Sequence, residues 1–360
     1  MSTMRIAIRV DASTRIGTGH VMRCLALASA LRERGARVTF LTREARDGGA
    51  RAIAARRFPC VTLPAQSGFE ESWLGASEGF DASSSADALA GLAPLDWVVV
   101  DHYGLGIAWE RVARAHAERL FVIDDLADRP HLCELLLDTT WSPDGAPDRY
   151  AQLVPPRARR LLGPSYALLR PEFNRAERRV REGGVSRVVV FFGGADPHDL
   201  TGRTLDALAS DPTLAALEVD VVAGAANPRA HALSERASER VHVHVDTPRI
   251  AEIFAGADLA VGAAGTASWE RAWLGLPALV AALADNQRGV ARALAAAGAA
   301  VELGWHEDLT PDVVRDALLR ACADPAALRA MSERALAMMG DGPLGTARVV
   351  DALAGARAFA

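Results

Sequence analysis

The sequence contains no lysine: all 40 basic residues among its 360 are arginine. Within this chain that excludes Schiff-base chemistry, pyridoxal-phosphate anchoring and the lysine-dependent phosphate loop. Cysteine is scarce as well. The four thiols, Cys24, Cys60, Cys133 and Cys322, are scattered and form no CxxC pair. They offer neither a disulfide framework nor a zinc signature, so the expectation is reduced thiols, no metal and no cofactor. Long apolar runs are missing: none reaches the length of a bilayer span, and the opening MSTMRIAIRV enters a strand pattern at once, without an apolar leader or cleavage site. A cytoplasmic protein is expected. Positive charge is not in excess, since 45 acidic residues give a net charge of −5. That argues against a nucleic acid or an anionic membrane as partner, and an anionic ligand must then find its positive groups locally.

What is present is an ordinary globular balance, with half the residues hydrophobic and about a quarter charged. The length suits two domains. In the first half, apolar runs of strand length alternate with helical patterns. Strands are expected at Arg5–Val10, Arg37–Thr42, Cys60–Leu63, Trp97–Asp101, Leu120–Asp124 and Leu135–Asp138, and helices at Val21–Arg34 and Gly49–Arg57. Uninterrupted β-branched and leucine runs mark strands buried on both faces, and strand–helix alternation implies a parallel, doubly wound sheet. Proline and then arginine and glycine break the pattern, placing the domain boundary within Gly163–Ser186. A second series follows: strands at Arg187–Phe192, Glu218–Val222, Val241–Val245, Leu259–Gly262 and Ala278–Ala281, with helices at Leu200–Ala209, Pro228–Ser238, Ile250–Ala255, Ser268–Leu274 and Arg288–Ala297. The expected organisation is an N-terminal Rossmann-like domain over 1–165, a linker at 166–186, a second Rossmann-like domain over 187–325 and a helical tail at 326–360. Two such sheets in tandem are expected to face each other across a cleft at their carboxyl ends.

Several strand-ending loops carry residues able to do chemistry. The stretch Asp11-Ala-Ser-Thr-Arg-Ile-Gly-Thr-Gly-His-Val-Met-Arg23 leaves the first strand and opens the first helix. Gly17 and Gly19 allow a tight turn and close approach of a ligand, and the helix start favours an anion. This is not the dinucleotide fingerprint, because Met22 stands where the third glycine belongs. His20 either caps the helix or acts as a base, since an imidazole titrates near neutrality. Tyr103, in Asp101-His-Tyr-Gly104, either binds sugar hydroxyls and orients water or belongs to a turn capped by Asp101. Asp124 and Asp125 are either an acid–base pair or caps.

In the second half, Phe191-Phe-Gly-Gly-Ala-Asp196 is a glycine turn whose amides at Gly193 and Gly194 suit a diphosphate. Gly262-Ala-Ala-Gly-Thr-Ala-Ser-Trp-Glu270 is the most specific stretch. Gly265, Thr266 and Ser268 lead into a helix that Thr266 or Ser268 caps or uses to meet phosphate, and Glu270 either stabilises that helix or accepts ribose hydroxyls. Trp269 and Trp273, four apart, read as core. Asn286 and Gln287 reach a sugar or phosphate, or cap a helix.

Taken together, RVDASTRIGTGHVMRCLALA, VVDHYG, VIDDLADR, GPSYALLRPEF, FFGGADP, GAAGTASWERAWLGLP and ADNQ make the chain resemble the UDP-2,4-diacetamido-2,4,6-trideoxy-β-L-altropyranose hydrolases of pseudaminic acid biosynthesis, from about Arg5 to Gly304. The resemblance implies a GT-B fold related to glycosyltransferases of the MurG type, with UDP held mainly by the C-terminal domain. It implies attack of water at the anomeric carbon with inversion, releasing UDP. It puts the catalytic base on His20, the ribose on Glu270, and the diphosphate near Gly193 and Gly194; Tyr103, from its place in the strand-ending loop, is the second expected catalytic residue. Asp11, Gly17, Gly19, Arg23, Gly265, Thr266, Ser268, Asn286 and Gln287 complete the expected substrate contacts, in a monomer or weak homodimer. The chain departs from the pattern at Asp138-Thr-Thr, where the family has asparagine, and at Asn174, where arginine often stands. Those departures bear on the exact sugar. A glycosyltransferase and a hydrolysing UDP-sugar 2-epimerase of the same fold are the alternatives.

Overall fold

The computed structural model describes residues 3–12, 17–43, 49–69 and 72–355. The chain divides into two compact units, 1–171 with 343–360 and 172–342.

The first unit carries a seven-stranded, wholly parallel sheet. Its strands are β1 (Arg5–Val10), β2 (Arg37–Arg43), β3 (Cys60–Leu63), β4 (Leu95–Asp101), β5 (Ala117–Ile123), β6 (Leu135–Asp138) and β7 (Arg159–Leu162). Their spatial order is β3-β2-β1-β4-β5-β6-β7. Helices α1 (Gly19–Glu33), α2 (Gly49–Ala55), α3 (Glu78–Leu92) and α4 (Ile107–Ala113) connect them. Alternate residues of β1 feed two cores: Ile6, Ile8 and Val10 pack on one face with α1 residues, and Ala7 on the other with residues of α3 and α4. Burial of both faces explains why these strands read as continuous apolar runs.

The second unit repeats the plan. Strands β8 (Arg187–Phe191), β9 (Glu218–Ala223), β10 (Val241–Val245), β11 (Leu259–Ala263), β12 (Ala278–Ala282) and β13 (Val301–Trp305) lie in the order β10-β9-β8-β11-β12-β13, again all parallel. Helices α5 (Leu200–Ala209), α6 (Pro212–Ala215), α7 (Ala230–Glu235), α8 (Ile250–Gly256), α9 (Ala267–Trp273), α10 (Asp285–Ala296), α11 (Pro311–Ala323) and α12 (Pro325–Met339) surround it. The helical stretch expected as one tail divides: α12 packs on α9, whereas α13 (Gly345–Gly355) packs on α1 in the first unit. Gly345, at the start of α13, lies against the backbone of Tyr166 and Ala167, where a Cβ would stand 2.4 Å from the Tyr166 carbonyl carbon.

Every expected strand is present, and two further strands and three further α-helices (α3, α4 and the four-residue α6) were not foreseen. Strands β7 and β13 are sheet edges, half exposed and partly polar, so they lack the apolar run that betrays a buried strand. Helix α3 turns Asp81 and Ser85 inward beside Ala82 and Leu89, which hides its apolar periodicity. Helix α4 is a two-turn segment. Helix α1 starts two residues earlier than expected and α10 three, so His20, Asn286 and Gln287 sit in first turns.

Candidate active site

In each sheet the chain first winds outward one way and then returns to the centre to wind the other way. Neighbouring strands β1 and β4, and β8 and β11, therefore diverge into loops on opposite sides, which is where ligands of doubly wound sheets bind. His20 and Asp101 meet at this point in the first unit. Gly17, at φ +77°, takes a left-handed conformation open to glycine, and α1 begins two residues later. Asp101 ends β4, opposite Val10 of β1.

His20 Nδ1 lies 2.6 Å from Asp101 Oδ1. One turn along α1, Arg23 grips the same carboxylate with two nitrogens, Nε to Oδ2 at 2.7 Å and Nη2 to Oδ1 at 2.6 Å. The Cys24 thiol donates to Oδ2 at 3.3 Å. Arg23 Nη1 reaches on to Asp125 Oδ2 at 3.1 Å, and the Tyr103 hydroxyl donates to Asp125 Oδ1 at 2.6 Å. The Tyr103 ring meets the His20 ring edge-on, with centroids 4.8 Å apart. His20 is 6% exposed and Asp101 1%.

Burial alone would push the Asp101 carboxyl up. The Arg23 charge and the His20 ring outweigh it and hold the group well below the usual carboxylate range. Burial likewise opposes the Arg23 charge, but Asp101 raises its guanidinium well above the ordinary value. Both stay ionised. A fixed carboxylate at Nδ1 makes that nitrogen the proton-bearing one and leaves the lone pair on Nε2. The 3.1 Å approach of Arg23 Nη2 to Nδ1 joins two donors that share Oδ1 as acceptor. The result is an oriented imidazole able to take a proton from water or a hydroxyl, held as a carboxylate holds the histidine of a hydrolytic triad.

The other first-unit residues divide. Asp11 accepts from both Arg9 Nη atoms, from the Thr42 hydroxyl and from the Arg43 amide. Its acceptor sites serve a buried network that ties β1 to β2 and, through Arg9 and Asp81, to α3. Asp124 and Asp125 do not act as a pair. Asp124 accepts from the Ala127 amide at 3.0 Å and the Tyr150 hydroxyl at 2.8 Å, whereas Asp125 faces Arg23 and Tyr103. Asp138, at the end of β6, is raised by burial to about 6 despite the Thr140 amide at 2.7 Å. Residues 13–16 of the glycine loop lie outside the described residues.

In the second unit, Gly193 at φ +91° turns the chain after β8, and Asp196 accepts from the amides of Leu200 and Thr201 to start α5. Gly194 lies against Gly224, where a Cβ would come within 2.4 Å of the Gly194 carbonyl oxygen. Gly262 meets Phe191 across β11 and β8, and a Cβ there would stand 2.1 Å from the Phe191 carbonyl oxygen. Neither Thr266 nor Ser268 caps α9. The Thr266 side chain makes no capping bond, and the Ser268 hydroxyl accepts from Arg271 at 3.1 Å. The reason is the helical backbone of Thr266, which turns its hydroxyl away from the first amides. Glu270 is buried at 6% on α9, and Trp269 and Trp273 are core. Gln287 accepts from the Leu283 amide at 3.0 Å while its Nε2 faces Gly265, and Asn286 adjoins it in α10.

Asp101, expected as a turn cap, is instead the partner of His20, and Arg271 stands outside the expected site residues. The one signal for Asp101 was its place at the end of a buried strand. Among the described residues no cluster of three or more His, Cys, Asp or Glu is disposed to hold a metal ion, and no helix is long and apolar enough to cross a membrane.

No protein-family model matches the chain. It is similar to the spore coat polysaccharide biosynthesis protein SpsG of Bacillus subtilis, 31% identical over 153 residues, which are 42% of this chain and 45% of that protein. An uncharacterised protein of Methanocaldococcus jannaschii is 22% identical over 314 residues, 79% of this chain and 57% of that one. The chain thus spans about half the length of these two curated relatives. The UDP-2,4-diacetamido-2,4,6-trideoxy-β-L-altropyranose hydrolase of Campylobacter jejuni is 23% identical over 252 residues, 69% of this chain and 81% of the hydrolase. Among solved structures, Acinetobacter baumannii MurG superposes with a TM-score of 0.65 at 18% identity, covering 98% of this chain and 99% of that one. LpCGTa in complex with UDP gives 0.63 at 15% identity, covering 98% and 99%. At such identities the likeness shows the fold, which is GT-B.

Proposed function

We propose that the chain is a nucleotide-sugar hydrolase that cleaves a UDP-linked diacetamido-trideoxyhexose at the anomeric carbon with inversion, supplying free sugar for pseudaminic-type nonulosonic acid synthesis in the cytoplasm, as a monomer or weak homodimer. The observation that carries the reading is the His20 imidazole, buried and oriented by an ionised Asp101 at the switch point of the first sheet. Water gives a proton to Nε2 as its oxygen bonds to C1. The C1–O bond breaks, and its electron pair leaves with UDP. General-base help of this kind is typically worth about 10²–10⁴ in rate. The leaving diphosphate already carries charge well, so the protein's remaining task is to spread it. Amides of the Gly193–Gly194 turn and the Gly265–Ser268 loop serve that purpose, with Glu270 on the ribose. Tyr103, bonded to Asp125 and packed on the His20 ring, steadies the base and lines the water's approach. The Campylobacter jejuni relative supports the hydrolase, at a distance.

A glycosyltransferase of the same fold is the second reading, supported by the solved structures, because an oriented imidazole deprotonates an acceptor hydroxyl as readily as water. Incubation with UDP- and other NDP-linked diacetamido sugars, followed by NMR, separates them. Release of UDP with an inverted free sugar, without acceptor and with C2 configuration retained, is the expected outcome. His20→Asn is expected to keep UDP binding and lose most turnover. Near-normal turnover in that variant removes His20 from the base role.

A further inference from the structure

Arg271 is 1% exposed and carries its guanidinium into the dry interior of the second unit. Its Nη2 donates to the Ala263 carbonyl at 2.7 Å and to the Ser268 hydroxyl oxygen at 3.1 Å. Among the described residues, Nε and Nη1 have no hydrogen-bond partner, and the one carboxylate whose charge favours the guanidinium is that of the adjacent Glu270. Nη1 would stand 2.9 Å from a Cβ on Gly262, so the group lies beneath the meeting ends of β8 and β11, at the switch point of the sheet. Arg181, an arginine buried nearly as deeply, shows the usual solution: it donates to five backbone carbonyls. Arg271 has two. A buried charge with unfilled donors costs stability, and burial pushes its guanidinium down to about 10.

Ser268 adds a second observation. Its oxygen accepts from a cation, so its own proton is turned away from Arg271 and free to serve an acceptor elsewhere, and the charge-assisted bond makes that O–H a stronger donor. The same guanidinium pins the Ala263 carbonyl, at the start of the turn that runs through Gly265 to Ser268.

We infer that Arg271 is the buried countercharge of a diphosphate site in the second unit, acting through Ser268 and the Ala263–Ser268 turn, without touching the ligand. It rests on the reading that this unit holds a nucleoside diphosphate. Arg271 is thus a positioning residue: it aims the Ser268 hydroxyl at a phosphate oxygen and supplies, from below, the positive field that a lysine-free chain must build locally.

Calorimetric titration of UDP and of uridine tests this on the unaltered protein, Arg271→Met, Arg271→Lys and Ser268→Ala. A bond to a charged group is worth about tenfold to a hundredfold in affinity. Arg271→Met and Ser268→Ala are each expected to weaken UDP by about tenfold or more and to leave uridine unchanged, with Arg271→Lys in between. Without ligand, Arg271→Met is expected to melt no lower than the parent, because an apolar chain of similar volume replaces a buried guanidinium with two unfilled donor nitrogens. A purely structural arginine gives the reverse: a lower melting temperature and an unchanged UDP-to-uridine ratio. That result overturns the inference and leaves the nucleotide reading standing. Should Arg271→Met fail to fold, an unchanged ratio in both Arg271→Lys and Ser268→Ala overturns it equally. If the unaltered protein binds no UDP, the nucleotide reading itself falls, and the inference with it.

Discussion

Asp101→Asn isolates the group on which the first unit's site turns. The carboxylate accepts from His20 Nδ1 at 2.6 Å, from Arg23 at 2.7 and 2.6 Å, and from the Cys24 thiol at 3.3 Å. An asparagine of the same shape accepts on one atom only and turns an NH₂ group toward donors on the other. Either His20 or Arg23 loses its partner, and among the described residues Arg23 keeps Asp125, at 3.1 Å, as its counter-ion. Removing one partner of a buried pair costs about 3–5 kcal/mol. At about 2–4 °C per kcal/mol for a unit of this size, the melting temperature should fall by roughly 6–20 °C. His20 also loses the acceptor that sets its tautomer, so turnover should drop by about 10²–10⁴. If, as proposed, the second unit holds UDP, its affinity should stay within about threefold, a shift below 1 kcal/mol.

The pH dependence follows from the depressed Asp101 group. Its stabilisation is present above the unfolded carboxylate value of about 3.9 and is lost as pH falls toward the lower folded value. The parent should therefore lose stability below about pH 4 more steeply than the variant. Differential scanning fluorimetry across pH and NMR-followed UDP release measure both effects. Turnover within about threefold of the parent, together with an unshifted melting temperature, would refute the coupling of Asp101 to the base.

Two further outcomes test the scaffold. Arg181 closes the carbonyl ends of α8 and α9 through Phe254, Ala255, Ala257 and Leu274, so Arg181→Ala should cost about 3 kcal/mol or more in urea unfolding of the second unit. Retained unfolding midpoints would show that solvent replaces those bonds. His131 sits 2.6 Å from Glu110 Oε1 and 3.8 Å from Asp124 Oδ2; burial opposes its charge, but these carboxylates raise it to about 9. A raised folded value means that its stabilisation is complete below about pH 6.5 and lost as pH rises through 9. The stability gap between the parent and His131→Gln should shrink over that window, and a gap constant with pH would remove His131 as its source.

The legible part of this molecule was local. Buried parallel strands announce themselves as unbroken runs such as Val98-Val-Val100 and Leu135-Leu-Leu137, and the glycine turns at Gly17 and Gly193 follow directly from strand ends. The edge strands β7 and β13 escaped because half-exposed strands carry arginine and glutamate in place of apolar residues. Helix α3 escaped because its inward face holds the carboxylate that neutralises Arg9.

From sequence alone came two strand–helix series and a histidine beside a strand-ending glycine turn, because backbone propensity and hydrophobic period act over a few residues. Tertiary structure alone decided that Asp101, 81 positions away, is that histidine's partner. A hydrophobic pattern tells that a strand is buried on both faces, but not which strand lies beside it. Only the pairing of β1 with β4 brings the two strand ends, and their charges, into contact.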